Sequence, residues 1–352
     1  MAKKRKGSNK HSYNLPAPTP GPVIDGAQLI EDFITYKRAT KNISKSTVRA
    51  YETYLTSYVV DAGGENLIAS NDIAGLEKLA LSWLNLPLGE KEEITSGTWN
   101  RKLAYLKAFF QHLKDEGVIK TDALPLTRIK KRHEDLRILS FGSPEVDRAR
   151  QLLLDTYLEG GRTASALDLR NYLLFGLLST CGLRAGEAGS FARQQIDITQ
   201  GRITIFGKIT KTKSSRLVPI PHFNPALWGK RNKAKSDYQE YFEIYYNYHV
   251  QNYPPEAPFI CTGAGGPMTA TNIWHTLKPV FATVGMTKAR VHDLRHYALT
   301  RIALNGGHAV VQQIAGHASP STTARYITPP AHVICQIASQ AIDKATASGK
   351  YL

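Results

Sequence analysis

The chain is short of acid. Against 45 lysines and arginines it sets only 29 aspartates and glutamates, giving a formal net charge of +16. A surplus of that size draws polyanions, and nucleic acid is the commonest of them. The competing reading is a basic protein tuned only for solubility. Cysteine is scarce too. Cys181, Cys261 and Cys335 are widely separated and odd in number, which argues against a disulfide framework, shows no metal-ligand spacing and fits reduced thiols in a cytoplasmic protein. No apolar run approaches the length of a membrane span and no signal peptide opens the chain. Glycines cluster in GAGG (residues 263–266), but without the strand–turn–helix setting that a phosphate-binding loop needs, so nucleotide binding is not expected.

What is present divides along the chain. With 352 residues, two domains are expected. Residues 1–23 hold five basic and no acidic groups, then turn rich in proline and glycine; they read as a disordered leader. Its KKRK run can be read as a nuclear import signal, but a loose electrostatic tether to DNA is the more economical reading. Residues 24–142 are nearly balanced, with 17 basic groups against 16 acidic, and residues 143–352 carry 23 against 13.

Residues 24–126 read as a small helical domain. Val48, Tyr51, Leu55 and Tyr58 recur at three- and four-residue steps, marking an amphipathic helix entered through Ser44 or Ser46. Trp99, Leu103, Leu106, Phe110 and Leu113 form a second apolar stripe, with Gly117 as its stop. Arg101, Lys102, Lys107 and Lys114 lie off that stripe and are candidate phosphate contacts, a solvated face being the plainer alternative. Thr127 to Phe141 breaks the helical pattern and concentrates charge, so residues 127–142 read as a linker. Ser143-Pro144-Glu145 then starts a helix.

Leu167 to Leu178 is apolar nearly all round and should be buried. Three short alternating runs follow, QIDI, RITIF and RLVPIP, predicting a three-stranded antiparallel sheet. Asn224 to Asn252 looks helical and tyrosine-rich, with Tyr245 and Tyr246 fitting a helix core or a DNA-facing surface.

The densest chemistry lies between Val291 and Tyr326, where His292, Arg295, His317 and Tyr326 share one compact run. An arginine can grip a phosphate with two parallel hydrogen bonds. Histidines donate to phosphate oxygens or move protons near neutral pH. A phenol can become a nucleophile if helped, since its ordinary pKa is about 10. Taken singly, each has a blander reading: a histidine bonded to backbone, or one of 17 tyrosines that mostly pack.

The ordered set is more specific. HDLRH followed by AGHASPSTTARY resembles the second signature of the tyrosine recombinases, the phage integrase family: His-x-x-Arg, then Gly-His, then a tyrosine nine positions on. Ala315 stands where that family often has leucine. GLRAGE resembles the first signature and places Arg184 at its first catalytic arginine and Glu187 at a supporting acid, although alone the two would read as an i, i+3 ion pair. A lysine is expected on the hairpin between the second and third strands. Lys208, Lys211 and Lys213 compete for it, and aligning RLVPIP on the family's third strand favours Lys211, leaving Lys208 and Lys213 as DNA-backbone contacts or solvated side chains.

The resemblance implies a mainly α fold with a small antiparallel sheet: a helical, SAM-like core-binding domain (24–126), a linker (127–142) running along the duplex through Lys130, Lys131 and Arg132, and a catalytic domain (143–330) of the DNA breaking–rejoining fold. It implies a metal-free, cofactor-free reaction through a 3′-phosphotyrosine on Tyr326. Arg184, Arg295 and His317 would hold the phosphate, His292 would help take the phenol proton, and Lys211 would protonate the leaving 5′ oxygen. The implied partner is double-stranded DNA carrying recombination sites, bound by a homotetramer in the cytoplasm at the nucleoid, with possible accessory bending or directionality proteins. KTKSSR (residues 211–216) and the tail favour a mobile-element integrase over an Xer recombinase that resolves chromosome or plasmid dimers; a non-catalytic DNA-binding accessory protein is the further alternative. Residues 331–352 put Ile334, Ile337, Ala338, Ala341 and Ile342 on one helical face, which in the family often docks on a neighbouring protomer and here could equally pack on its own domain.

Overall fold

The computed structural model describes residues 24–41, 43–87, 93–133, 139–160, 165–207, 215–230 and 236–316, the side chains of residues 305, 306 and 308 excepted. The leader, Lys208, Lys211, Lys213, His317, Tyr326, Cys335 and the segment 331–352 lie outside the described residues. The chain divides into two compact units at Asp135/Leu136, a point inside the charged stretch 127–142. Among the described residues no helix is long and apolar enough to cross a membrane.

The first unit is helical: α1 (Gly26–Lys41), α2 (Lys45–Thr56), α3 (Gly64–Ala69), α4 (Ile73–Leu84) and α5 (Ser96–Asp115). Side-chain oxygens start three of these helices by accepting an orphan backbone N–H: Ser44 from Thr47, Asp72 from Gly75 and Thr95 from Thr98. Of the two serines, it is therefore Ser44 that caps α2. A wider π-type turn, Ser57–Asp61, follows α2 and carries Tyr58 into the core, where its hydroxyl donates to the Leu76 carbonyl at 2.9 Å. The predicted stripe of α5 is buried throughout, against Phe33, Leu55, Tyr58 and Trp83. Gly117, at φ 70°, ends the helix in the left-handed region, and Val118 N–H returns to the Leu113 carbonyl.

The second unit packs helices around α7 (Ala166–Thr180), which follows α6 (Ser143–Glu159) and is buried on nearly every side from Leu169 to Ser179. After the short α8 (Ala185–Ala188) come β1 (Ile196–Asp197), β2 (Arg202–Ile205) and β3 (Arg216–Pro219), antiparallel in that order, with Ile203 opposite Val218 and Ile205 opposite Arg216. The first strand is shorter than its sequence pattern, because Arg193–Gln195 form a 3-10 turn in which the Gln195 side chain accepts from the Ala192 N–H. The helix expected from Asn224 begins only at Asp237. Pro225 and Gly229 (φ 68°) shape a separate turn, and Ser236 caps α9 (Asp237–Asn252). On α9, Tyr245 is buried and its hydroxyl donates to the Phe259 carbonyl, so its place is in the core.

The last two helices are α10 (Ala270–Thr283) and α11 (Val291–Ala315). Glycine breaks α11: Gly307 sits at φ 77°, ψ 176°, a region essentially restricted to glycine. The break turns the chain back on itself. In a straight helix twelve residues span about 18 Å, yet Leu299 and Val311 share one buried cluster.

Candidate active site

Four side chains of the second unit converge on the loop that precedes α8. Arg184 occupies the N-cap position of α8, and its backbone N–H donates to Glu187 Oε2 at 2.9 Å while Nη1 donates to Oε1 at 2.7 Å. The Arg184 side chain is 22 % exposed, against 5 % for Arg216 and 1 % for Arg295, so it carries the most accessible of the three guanidinium groups. Glu187 is buried. Burial alone would raise its carboxyl pKa, but the Arg216 hydrogen bonds and charge, with help from Arg184, bring it below the ordinary carboxylate value.

Arg216 supplies the strongest of those contacts. From β3 its Nη2 donates to Glu187 Oε2 at 2.6 Å and its Nη1 to Oε1 at 3.1 Å, a bidentate arrangement. Its Nε donates to the Ile314 carbonyl at 2.6 Å. An arginine on the inward face of a strand would be untenable without such pairing. Sequence reading did not single it out. The signal was the alternation of RLVPIP, which puts Arg216 on the same buried face as Val218 and Ile220.

Arg295 lies deeper still, 1 % exposed, with Nη1 4.0 Å from Glu187 Oε2. It donates from Nη1 to the Gly182 carbonyl and from Nη2 to the Ala315 carbonyl, the latter at 2.8 Å. These two acceptors belong to the two sequence signatures. One guanidinium therefore ties the loop before Arg184 to the end of α11, across 113 residues in one direction and 20 in the other. A straight helix would separate Arg295 from Ala315 by about 30 Å, so the bond depends on the break at Gly307. It also means that Arg295 spends two donors inside the protein in this state, whereas the sequence reading expected its fork to face a phosphate.

Gly316 ends α11 in the left-handed conformation, φ 61°, with its N–H shared between the Gln312 and Gln313 carbonyls. A Cβ there would lie 2.9 Å from Arg216 Cδ, so both conformation and crowding require glycine at the first position of the Gly-His pair. His292 is exposed on the first turn of α11, its ring 6.1 Å from that of His296. Among the described residues the cluster thus sets three guanidinium groups against one carboxylate, an excess of positive charge suited to an arriving phosphodiester.

Among the candidate DNA contacts of the first unit, Lys102 is not at the surface. Lys102 is fully buried, and its Nζ donates to the Trp83 and Leu86 carbonyls at 2.6 and 2.8 Å, 3.9 Å above the Trp83 ring. It caps the end of α4 and is no surface cation; burial takes its pKa down to about 8. Helical spacing counted it off the apolar stripe, yet its long stem crosses to the carbonyls that α4 leaves unpaired. Lys107 and Lys114 bind carbonyls within the unit too, Lys107 to Ile129 at 2.7 Å and Lys114 to Asp122 at 3.1 Å. Arg132 is exposed, stacks 4.4 Å over Trp99 and donates to Asn85 Oδ1. Arg101, Lys130 and Lys131 are exposed.

Comparison with known proteins places these features. Residues 148–332 match the phage integrase family, and residues 30–117 match the N-terminal SAM-like domain of phage integrases. The tyrosine recombinase XerD of Lacticaseibacillus casei is 27 % identical over 307 residues, covering 85 % of this chain and 92 % of its own. The tyrosine recombinase XerC of Roseiflexus castenholzii is 27 % identical over 316 residues, covering 86 % and 92 %. Among solved structures, the XerH site-specific recombinase on a palindromic difH substrate has a TM-score of 0.62 at 16 % identity, over 89 % of this chain and 84 % of that one. The Tn1549 transposon integrase with transposon right end DNA has a TM-score of 0.57 at 15 % identity, over 90 % and 99 %. A mainly helical chain with a small antiparallel sheet, built round buried arginines that join its two signature segments and matched over more than half its length by one family, belongs to the phage integrase family of tyrosine recombinases, enzymes that cleave and rejoin DNA.

Proposed function

We propose that the chain is a site-specific recombinase whose nucleophile is Tyr326. The observation that carries this is the Arg295 bridge, which binds the Gly182 and Ala315 carbonyls and so brings the segments around Arg184 and before His317 to one point. Phosphoryl transfer of this kind is mostly positioning and charge stabilisation. Arg184 offers the more accessible guanidinium to the nonbridging oxygens, joined by His317 and, on release of one of its internal carbonyl bonds, by Arg295. His292 helps accept the phenol proton, and Lys211 donates a proton to the 5′ oxygen that leaves. The Tyr326 oxygen gains the phosphorus while the 5′ oxygen loses it. The ester therefore keeps the bond energy, and a 5′ hydroxyl of another strand reverses the step.

The partner is duplex DNA carrying recombination sites, held by a tetramer in the cytoplasm, with Arg101, Lys130, Lys131 and Arg132 against the backbone. The biological role is integration or excision of a mobile element, in keeping with the likeness to a transposon integrase. A second role, resolution of chromosome or plasmid dimers, is favoured by the names of the relatives, XerC and XerD. Capture of covalent protein–DNA junctions from cells making the protein tests the chemistry and gives the site. Junctions on one sequence support site-specific recombination. Junctions on any DNA indicate a relaxing topoisomerase, and none at all, with DNA binding intact, indicates an accessory protein.

A further inference from the structure

We infer that Arg216 is a positioning residue for strand cleavage: through one guanidinium it sets the turn at Gly316, the residue before His317 in sequence, in register with Arg184. The inference rests on the proposed roles of Arg184, His317 and Tyr326. Three observations carry it. The two Nη atoms hold both oxygens of Glu187, the same carboxylate that orients Arg184 through its backbone N–H and its Nη1. The Nε holds the Ile314 carbonyl, two residues before the turn. The aliphatic stem packs so closely on Gly316 that a Cβ there would meet Cδ at 2.9 Å and Nη1 at 3.3 Å. Arg216 is itself buried, with a side-chain exposure of 5 %, so it acts on the substrate only through these neighbours.

Charge alone does not explain the arrangement. Glu187 already has Arg184 bonded to it and Arg295 at 4.0 Å, and a lysine could neutralise it equally well. A planar fork with a third donor at its base takes both oxygens of a carboxylate and a carbonyl on its other edge at fixed angles, a spread that the single nitrogen of a lysine does not match. A displacement of about 1 Å at His317 or Arg184 is expected to slow the chemical step far more than DNA binding.

The test uses full-length protein and a nicked duplex carrying the captured junction sequence, which traps the covalent adduct. Arg216→Lys and Arg216→Met are compared with the parent for duplex affinity, thermal midpoint and single-turnover adduct rate across pH. The expected result for Arg216→Lys is affinity within about threefold, a midpoint within a few degrees and an adduct rate lowered at least tenfold. Arg216→Met is expected to lose about a hundredfold and to shift the acid limb of the rate profile upward, because Glu187 then keeps only Arg184 and Arg295 to hold its charge. If Arg216→Met does not fold, Arg216→Lys decides alone. An Arg216→Lys adduct rate within twofold of the parent overturns the inference, as does a fall fully matched by lost affinity. No adduct from the parent would instead overturn the underlying reading of Tyr326.

Discussion

At the residue scale the molecule turns on one buried carboxylate. Glu187 replaces its hydration with donors from Arg184 and Arg216 and lies within 4.0 Å of Arg295. Removing one partner of a buried network costs about 3–5 kcal/mol, because the others stay buried without compensation. Glu187→Gln is expected to lower stability by that order in urea titrations at pH 7 and to slow adduct formation along with it. The pH dependence has a definite sign. The folded carboxyl titrates below its ordinary value of 4.5, so the folded state binds fewer protons than the unfolded one across that interval. Its contribution is complete above the ordinary value and disappears as pH falls through the lower folded one. Glu187→Gln should flatten that part of the acid limb of a stability–pH curve; an unchanged acid limb would show that Glu187 is not coupled to folding. Lys102 belongs to the same scale. Lys102→Ala leaves the Trp83 and Leu86 carbonyls short of a donor and should cost about 2–4 kcal/mol, with no change in the salt dependence of DNA binding by the folded protein.

At the element scale the telling feature is the break in α11. The sequence motif strings His292, Arg295 and His317 as if along a line, but only a chain that doubles back at Gly307 can join Arg295 to Ala315. Gly307→Ala meets no steric obstacle, so its cost is purely conformational, about 1–3 kcal/mol for a backbone region that L-residues avoid. Melting should fall accordingly, and adduct formation should fall further than melting, since the break also sets where the end of α11 lies. Equal melting and equal activity would show that the break is incidental. Much at this scale was legible beforehand: the stripe of α5, the buried α7 and the three-strand order follow from periods of 3.6 and 2. What was not legible depended on tertiary partners. The pair Gly306-Gly307 was an available turn signal, but a helical pattern runs through it. In sequence Arg216 is one more cation of a basic hairpin, and only the fold sets it against Glu187.

For the whole molecule, charge argues for DNA but does not say which cations touch it. Of the cations proposed on the first unit and the linker, the structure internalises Lys102, ties Lys107 and Lys114 to carbonyls, stacks the exposed Arg132 on Trp99, and leaves Arg101, Lys130 and Lys131 exposed. Substituting these three by alanine should weaken binding to all sequences alike and reduce the slope of log K against log salt by about one for each phosphate left without its cation. An unaltered slope would place the DNA elsewhere. The family signatures made Arg184, Glu187 and Arg295 readable as a set from sequence, yet that set alone did not foretell that Arg295 would be buried as a bridge.

The central claim is that the Tyr326 oxygen becomes esterified to a DNA 3′ end, and mass spectrometry of the captured junctions tests it most directly. After nuclease trimming, the modified peptide should carry its nucleotide on Tyr326, and Tyr326→Phe should bind the same duplex while yielding no adduct. An adduct on any other side chain, or cleavage that survives Tyr326→Phe, would contradict the account.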